Sequence, residues 1–196
     1  MFLQKEIDFI LAIDKLKNVS RRNFNTDDAR RENTAEHSWQ VMVVAQVLLP
    51  YAQHRNQIDL LRVLKMLSIH DIVEIEAGDT FVYDQEAMQN KYQRELQAAK
   101  AIFGKLDSAV GEEFLNLWIE FEAAESVDAK FASAVDRFIP FLLNSYTSGK
   151  SWTESSVTVD KVKEIVGPEV QTIAPEFIQL FDELIQKNVK EGKLIE

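Results

Sequence analysis

Cysteine is absent from this 196-residue chain, which excludes disulfides, cysteine-ligated zinc fingers and a thiol nucleophile. Glycine and proline are scarce, at six and four, too few for the many tight turns of an all-β fold. No uninterrupted apolar stretch approaches the roughly 20 residues needed to cross a membrane. The first residues, Met1 to Asp8, carry charges within their apolar run and lack a signal-peptide layout. A cytoplasmic protein with no membrane association is therefore expected. Positive charge is also in short supply: 22 Lys and Arg against 32 Asp and Glu leave a net charge of −10. That balance argues against affinity for a nucleic acid polymer, whose phosphates would be repelled. It leaves room for a small anionic substrate, because a local cation and one or two arginines can reverse the sign inside a pocket. Histidine is rare too, present at 37, 54 and 70, so any histidine-rich site must use nearly all of them.

What is present is an ordinary globular composition, 46% hydrophobic and 28% charged. The length suits one domain over residues 1–196, and no repeat, low-complexity tract or linker interrupts it. Apolar residues recur at helical spacing almost throughout. Helices are expected over 2–17, from about 33 to 50, over 57–75, 85–104, 108–124 and 128–147, then a short one at 158–166 and a longer one at 175–191. Residues 18–33, rich in Asn, Ser, Thr, Asp and arginine, read as a long polar loop. Asn33 with Glu36 three residues on offers a capping-box start for the second helix. The expected fold is all-α, a single non-symmetric helical bundle.

Three of these helices carry ionisable groups where core is expected. The stretch Leu60–Glu74 contains His70 and Asp71 between Ile69 and Ile72. An unpaired buried carboxylate is expensive, so Asp71 needs a compensating partner. His37 follows Glu36 on a helix with Val41, Val43, Val44 and Val47, and Asp136 is embedded in Phe131–Ile139. Two histidines and two aspartates make a mixed nitrogen and oxygen set for one divalent cation, among Mn, Co, Zn, Mg, Ni and Fe, and too histidine-rich for a calcium cage. Asp71 and Glu74 are three apart and His70 and Glu74 four apart, so all project from one side of a helix. Asp79 follows in the turn after Gly78. Acids beside the ligands can orient a water, take its proton or protonate a leaving group. Arg21, Arg22, Arg30 and Arg31 precede His37, where one or two could clamp a phosphate.

The segments Arg30–Ser38 and His70–Asp79 resemble the HD-domain metal-dependent phosphohydrolases, whose pattern is His, then His-Asp, then a distant Asp, all on helices. Within that superfamily the chain is similar, over about residues 5–145, to the 5′-deoxynucleotidase branch of YfbR-like proteins. The resemblance implies that His37, His70, Asp71 and Asp136 hold the metal. It further implies that Glu74 is a catalytic carboxylate, that Asp79 is a second acid near the leaving group, and that Arg22 contacts the substrate phosphate. A tryptophan follows that arginine in the YfbR-type pattern, whereas here Asn23 and Phe24 follow. His54 matches nothing in the motif and reads as a surface residue.

The implied activity is metal-dependent hydrolysis of a small phosphate monoester, foremost a (deoxy)nucleoside 5′-monophosphate. A non-catalytic metal- or nucleotide-binding module is the alternative from another class. Within the enzymes, a phosphodiesterase or guanosine-tetraphosphate-type hydrolase also uses such sites. The resemblance suggests a homodimer, for which the apolar helical tail could supply the interface.

Overall fold

The computed structural model describes residues 3–106 and 109–196; Phe2 and Ser108, each placed in an expected helix, lie outside that range. The expected all-α bundle is present, joined by a small two-stranded sheet. In chain order the elements are α1 (Gln4–Ile13), β1 (Ser20–Phe24), β2 (Arg31–Asn33), α2 (Thr34–Leu48), α3 (Leu60–Ile69), α4 (Glu74–Ala77), α5 (Gln85–Met88), α6 (Lys91–Phe103), α7 (Ala109–Ala123), α8 (Val127–Tyr146), α9 (Lys150–Glu154), α10 (Val159–Ile173) and α11 (Phe177–Lys190).

Helix α8 is the axis of the fold, packed against α2, α3, α7 and α10. Its first turn is capped by the Ser126 hydroxyl, which accepts from Ala129 N at 3.1 Å. Ala132, Ser133 and Ala134 are small and buried, so neighbouring helices approach closely while Phe131, Phe138 and Phe141 fill the space above and below. Pro140 lies inside this helix and has no N–H to offer the Asp136 carbonyl one turn back. Helix α2 begins with the expected capping box. Asn33 Oδ1 accepts from Glu36 N at 3.0 Å, and Glu36 Oε2 accepts from Asn33 N at 3.2 Å.

Three expected elements differ from what forms. The polar loop over 18–33 contains a hairpin, with Ser20 opposite Asn33 and Phe24 opposite Arg31. Between those two pairs β1 takes four steps and β2 takes two, so β1 bulges through Arg21, Arg22 and Asn23. The expected helix over 57–75 stops at Ile69. From there the backbone tightens into i to i+3 bonds, Ile72 N to Ile69 O at 3.1 Å and Glu74 N to Asp71 O at 3.0 Å, before α4. At three residues per turn, positions three apart eclipse, which stacks Glu74 on Asp71. Gly78, at φ +76°, then ends α4 in a conformation that favours glycine and turns the chain to Asp79. Finally, α10 runs through Gly167 and Pro168 to Ile173, because burial of Val162, Val166, Val170 and Ile173 outweighs the lost backbone bond.

The tightened turn at 70–73 depends on α7. Trp118 is fully buried, and its Nε1 donates to the His70 carbonyl at 3.1 Å, a group released by the end of α3. Trp118→Phe should keep an aromatic ring in place yet leave that carbonyl unpaired beside a small cavity, lowering stability by at least about 1–3 kcal/mol. Chemical denaturation of the two proteins measures this, and equal midpoints would contradict the assigned role of the indole.

Candidate metal centre

His37 enters the site from the first turn of α2, His70 from the end of α3 and Asp136 from the middle of α8. Their ligand atoms all lie within 4.8 Å of one another. His37 Nε2 is 2.7 Å from Asp136 Oδ1, and His70 Nε2 is 3.4 Å from the same oxygen. Asp71 Oδ2 lies 3.1 Å from His70 Nε2 and 4.0 Å from His37 Nε2, and it also accepts from Arg21 Nη1 at 2.8 Å. Three of the four expected ligands thus converge directly, and the fourth stands beside them engaged by an arginine. His54 is exposed at the far surface.

The ring orientations favour a cation. His70 Nδ1 faces the Leu67 carbonyl at 2.9 Å; a carbonyl can only accept, so Nδ1 carries a proton. Its Nε2 is fully buried and makes no hydrogen bond, although two carboxylate oxygens are near. An enclosed imidazole nitrogen without a hydrogen-bond partner, facing two carboxylates, fits a borderline divalent ion. The same holds on the other side of His37. Its Nδ1 and Glu32 Oε2 are both buried without a hydrogen bond, 3.5 Å apart. With Nε2 given to a cation, the His37 proton belongs on Nδ1, facing the Glu32 carboxylate that orients the ring. Glu32 was hidden in the sequence because residues 18–33 read as a loop; as the central, buried position of β2 it points inward.

Arg21 completes the arrangement. Its guanidinium lies 2.8 Å from Asp71, 3.7 Å from Glu32, 3.7 Å from Asp79 and 3.9 Å from Glu74. Burial disfavours its charge, yet Asp71, Glu74 and Asp79 together raise its pKa further above the usual arginine value. Arg22 is exposed and lines the same cavity. The bulge in β1 explains why consecutive residues share one cavity instead of alternating.

The surrounding acids are driven apart in basicity. Burial opposes ionisation of Asp71, but the His70 and Arg21 charges prevail and hold its carboxyl at about 2. Burial, reinforced by the Asp71 charge, pushes the Glu74 carboxyl well above the usual carboxylate range. Thr34 Oγ1 donates to Glu74 Oε2 at 2.9 Å and fixes it in place. Burial also raises Asp79, against the pull of Arg21. Neighbouring carboxyl groups with separated pKa values are what proton transfer in both directions requires.

Arg21, Arg22, His70, Asp71, Glu74, Asp79 and Asp136 line a cavity of about 360 Å³, in the range of small-molecule sites. Phe81, Tyr83, Tyr92, Phe121 and Trp152 form its apolar walls. Lys91 also lines it, paired to Glu95 at 2.7 Å and Glu122 at 3.3 Å.

The HD domain family profile matches residues 13–178 of the chain. The human 5′-deoxynucleotidase HDDC2 is 26% identical over 132 residues, which cover 67% of this chain and 62% of that protein. The Dictyostelium discoideum 5′-deoxynucleotidase HDDC2 is 26% identical over 144 residues, covering 71% and 75%. The chain thus spans less than two thirds of the human relative. The crystal structure of a predicted metal-dependent phosphohydrolase from Magnetospirillum magnetotacticum MS-1 superposes with a TM-score of 0.89 at 40% identity, covering 99% of this chain and 98% of the other.

The histidines set a pH dependence for metal uptake. Burial would lower both imidazole pKa values, but Asp136 and Glu32 around His37, and Asp71 and Asp136 around His70, raise them. In the metal-free protein this attraction is fully present below the ordinary imidazole pKa and fades as pH rises through the raised values. A cation competes with those protons, so uptake should release protons and strengthen from pH 6 to pH 8. Titration calorimetry in buffers of different ionisation enthalpy reads the release directly; identical heats in all buffers would show the rings already neutral.

Proposed function

The chain belongs to the HD domain family, and on that premise we propose that it is a metal-dependent phosphomonoesterase acting on (deoxy)nucleoside 5′-monophosphates. The observation that carries the reading is the pair of raised carboxyls, Glu74 and Asp79, beside the His37, His70 and Asp136 cluster. A centre serving stability alone needs neither. The names of the human and Dictyostelium relatives support a nucleotide substrate, and the cavity holds both a charged end and aromatic walls.

His37, His70, Asp71 and Asp136 would hold the cation, which supplies Lewis acidity toward a phosphoryl oxygen and water. Glu74 accepts the proton of the attacking water, its Oε2 held toward that role by Thr34. Asp79 delivers a proton to the departing ester oxygen, giving nucleoside and phosphate. Arg22, exposed at the cavity, engages the incoming phosphate, while Arg21 keeps the carboxylates from repelling it.

We further place the protein in the cytoplasm as a homodimer. Among the described residues no helix is long and apolar enough to cross a membrane. The expected interface on the helical tail is used internally, since Phe181, Leu184 and Ile185 of α11 are buried against its own chain. The face that supports pairing is on α2 and just beyond it, where Trp39, Val43, Val47 and Tyr51 recur every four residues, Trp39 64% and Val47 61% exposed.

Phosphate release from a panel of ribo- and deoxyribonucleoside monophosphates, with Mn, Co, Mg and Zn in turn, tests the activity. Glu74→Gln should keep its metal while activity falls at least about 100-fold, because an amide cannot take the proton. Loss of metal with activity would make Glu74 a ligand instead. Arg22→Ala should raise KM and lower kcat/KM at unchanged metal content; wild-type constants would leave it a solvated surface residue. For the assembly, Val47→Asp should convert a dimer into a monomer on size-exclusion chromatography of the soluble lysate fraction, and a monomeric wild type would refute the pairing.

A further inference from the structure

Asn23 is 6% exposed in the wall of the cavity, and hydrogen bonds engage one side of its carboxamide. Its Oδ1 accepts from Asn144 Nδ2 at 3.3 Å and lies 3.4 Å from Ser151 Oγ. The orientation is dictated from behind. Asn144 Nδ2 also donates to the Pro140 carbonyl at 2.9 Å, and Ser151 Oγ donates to Asn144 Oδ1 at 2.6 Å. A carbonyl accepts only, so the atom of Asn144 facing both Pro140 and Asn23 is nitrogen. The Asn23 atom meeting it must then be oxygen, since the reversed amide would oppose two donors.

This leaves Asn23 Nδ2 with two N–H groups and no acceptor among the described residues. The nitrogen is not sealed in the interior as Glu32 Oε2 and His37 Nδ1 are. The space Asn23 borders is the cavity that holds the candidate metal centre. A buried amide whose oxygen is held by Asn144 and Ser151, and whose nitrogen has no acceptor in the wall of an open cavity, is built to meet one. Its chemistry differs from that of its neighbours. Arg21 and Arg22 carry the charge that suits phosphate, whereas an amide is neutral, and Tyr83, Trp152 and Val166 also line the cavity.

We propose that Asn23 Nδ2 donates a hydrogen bond to an uncharged oxygen in the part of the substrate beyond the phosphate, and thereby selects which phosphate monoesters are hydrolysed. The inference rests on the phosphomonoesterase reading above. The accepting oxygen belongs to the sugar or to the base; both are uncharged acceptors, and substrates lacking one or the other separate them.

The metal-loaded wild type, Asn23→Ala and Asn23→Asp are compared on a deoxyribonucleoside 5′-monophosphate, 2-deoxyribose 5-phosphate and phenyl phosphate. Asn23→Asp retains an oxygen for Asn144 and Ser151, so it preserves the network should Asn23→Ala loosen it. In both variants the kcat/KM ratio of nucleotide to phenyl phosphate should fall by about tenfold, the usual worth of one neutral hydrogen bond. An equal fall for the sugar phosphate assigns the contact to the sugar, and a fall confined to the nucleotide assigns it to the base. If all three substrates lose activity in proportion, or none does, Asn23 is a structural member of its network and the proposal fails alone. If the wild type releases phosphate from none of them, the phosphomonoesterase reading itself fails.

Discussion

Glu32, Asp71, Glu74 and Asp79 crowd around one guanidinium, that of Arg21, in a region largely closed to water. Like charges at such separations repel by several kcal/mol where the effective dielectric is about 20. The arrangement is therefore tenable only because positive charge is interposed. Arg21 supplies part of it from the β1 bulge, and the same carboxylates raise both imidazole pKa values against burial, which favours protons there. A divalent cation at the His37, His70 and Asp136 cluster would replace those protons with a larger charge at the same place. Fold stability and readiness for metal are thus two sides of one electrostatic constraint.

That constraint explains features that look unrelated. The hairpin over 20–33 is short and irregular, yet it delivers Arg21 to Asp71 and Glu32 to His37, with the two side chains 3.7 Å from each other. The end of α3 forfeits regular helix geometry at His70, and in return Asp71 and Glu74 stack while Trp118 takes up the freed carbonyl. Thr34, on the first turn of α2, pins Glu74 only three residues from His37. Each device orients a ligand or an acid from behind, which is how precise site geometry is maintained on rigid elements.

The division of labour around the cavity follows from charge. The chain is strongly acidic overall, so under the proposed function a phosphate ester would be drawn inward by local cations, Arg22 at the surface, Arg21 within and a metal at the His37, His70 and Asp136 cluster. Lys91 is neutralised by Glu95 and Glu122 and adds little net field. Beyond that end the cavity offers aromatic walls and the neutral amide of Asn23, groups that on the proposed reading would discriminate by hydrogen bonding and fit instead of by charge.

The sequence by itself determined the helical class, most helix positions and the grouping of His37, His70, Asp71 and Asp136 as one candidate centre. These follow from local rules: apolar periodicity marks the buried stripes of α3 and α8, Asn33 and Glu36 mark the start of α2, and polar groups inside such stripes demand a shared partner. Tertiary structure decided the rest. Pro168 reads as a helix end until the burial of Val170 and Ile173 against the rest of the core is known. Residues 18–33 read as a loop because polar composition hides a hairpin whose partners are thirteen residues apart, Ser20 with Asn33. Arg21 and Arg22 are equivalent as letters, and only the bulge of β1 gives one to the carboxylates and the other to the surface. The amide of Asn23 is likewise defined by a contact across the fold, to Asn144, at a separation where no local spacing rule operates, and Glu32 meets His37 only because β2 turns its side chain inward.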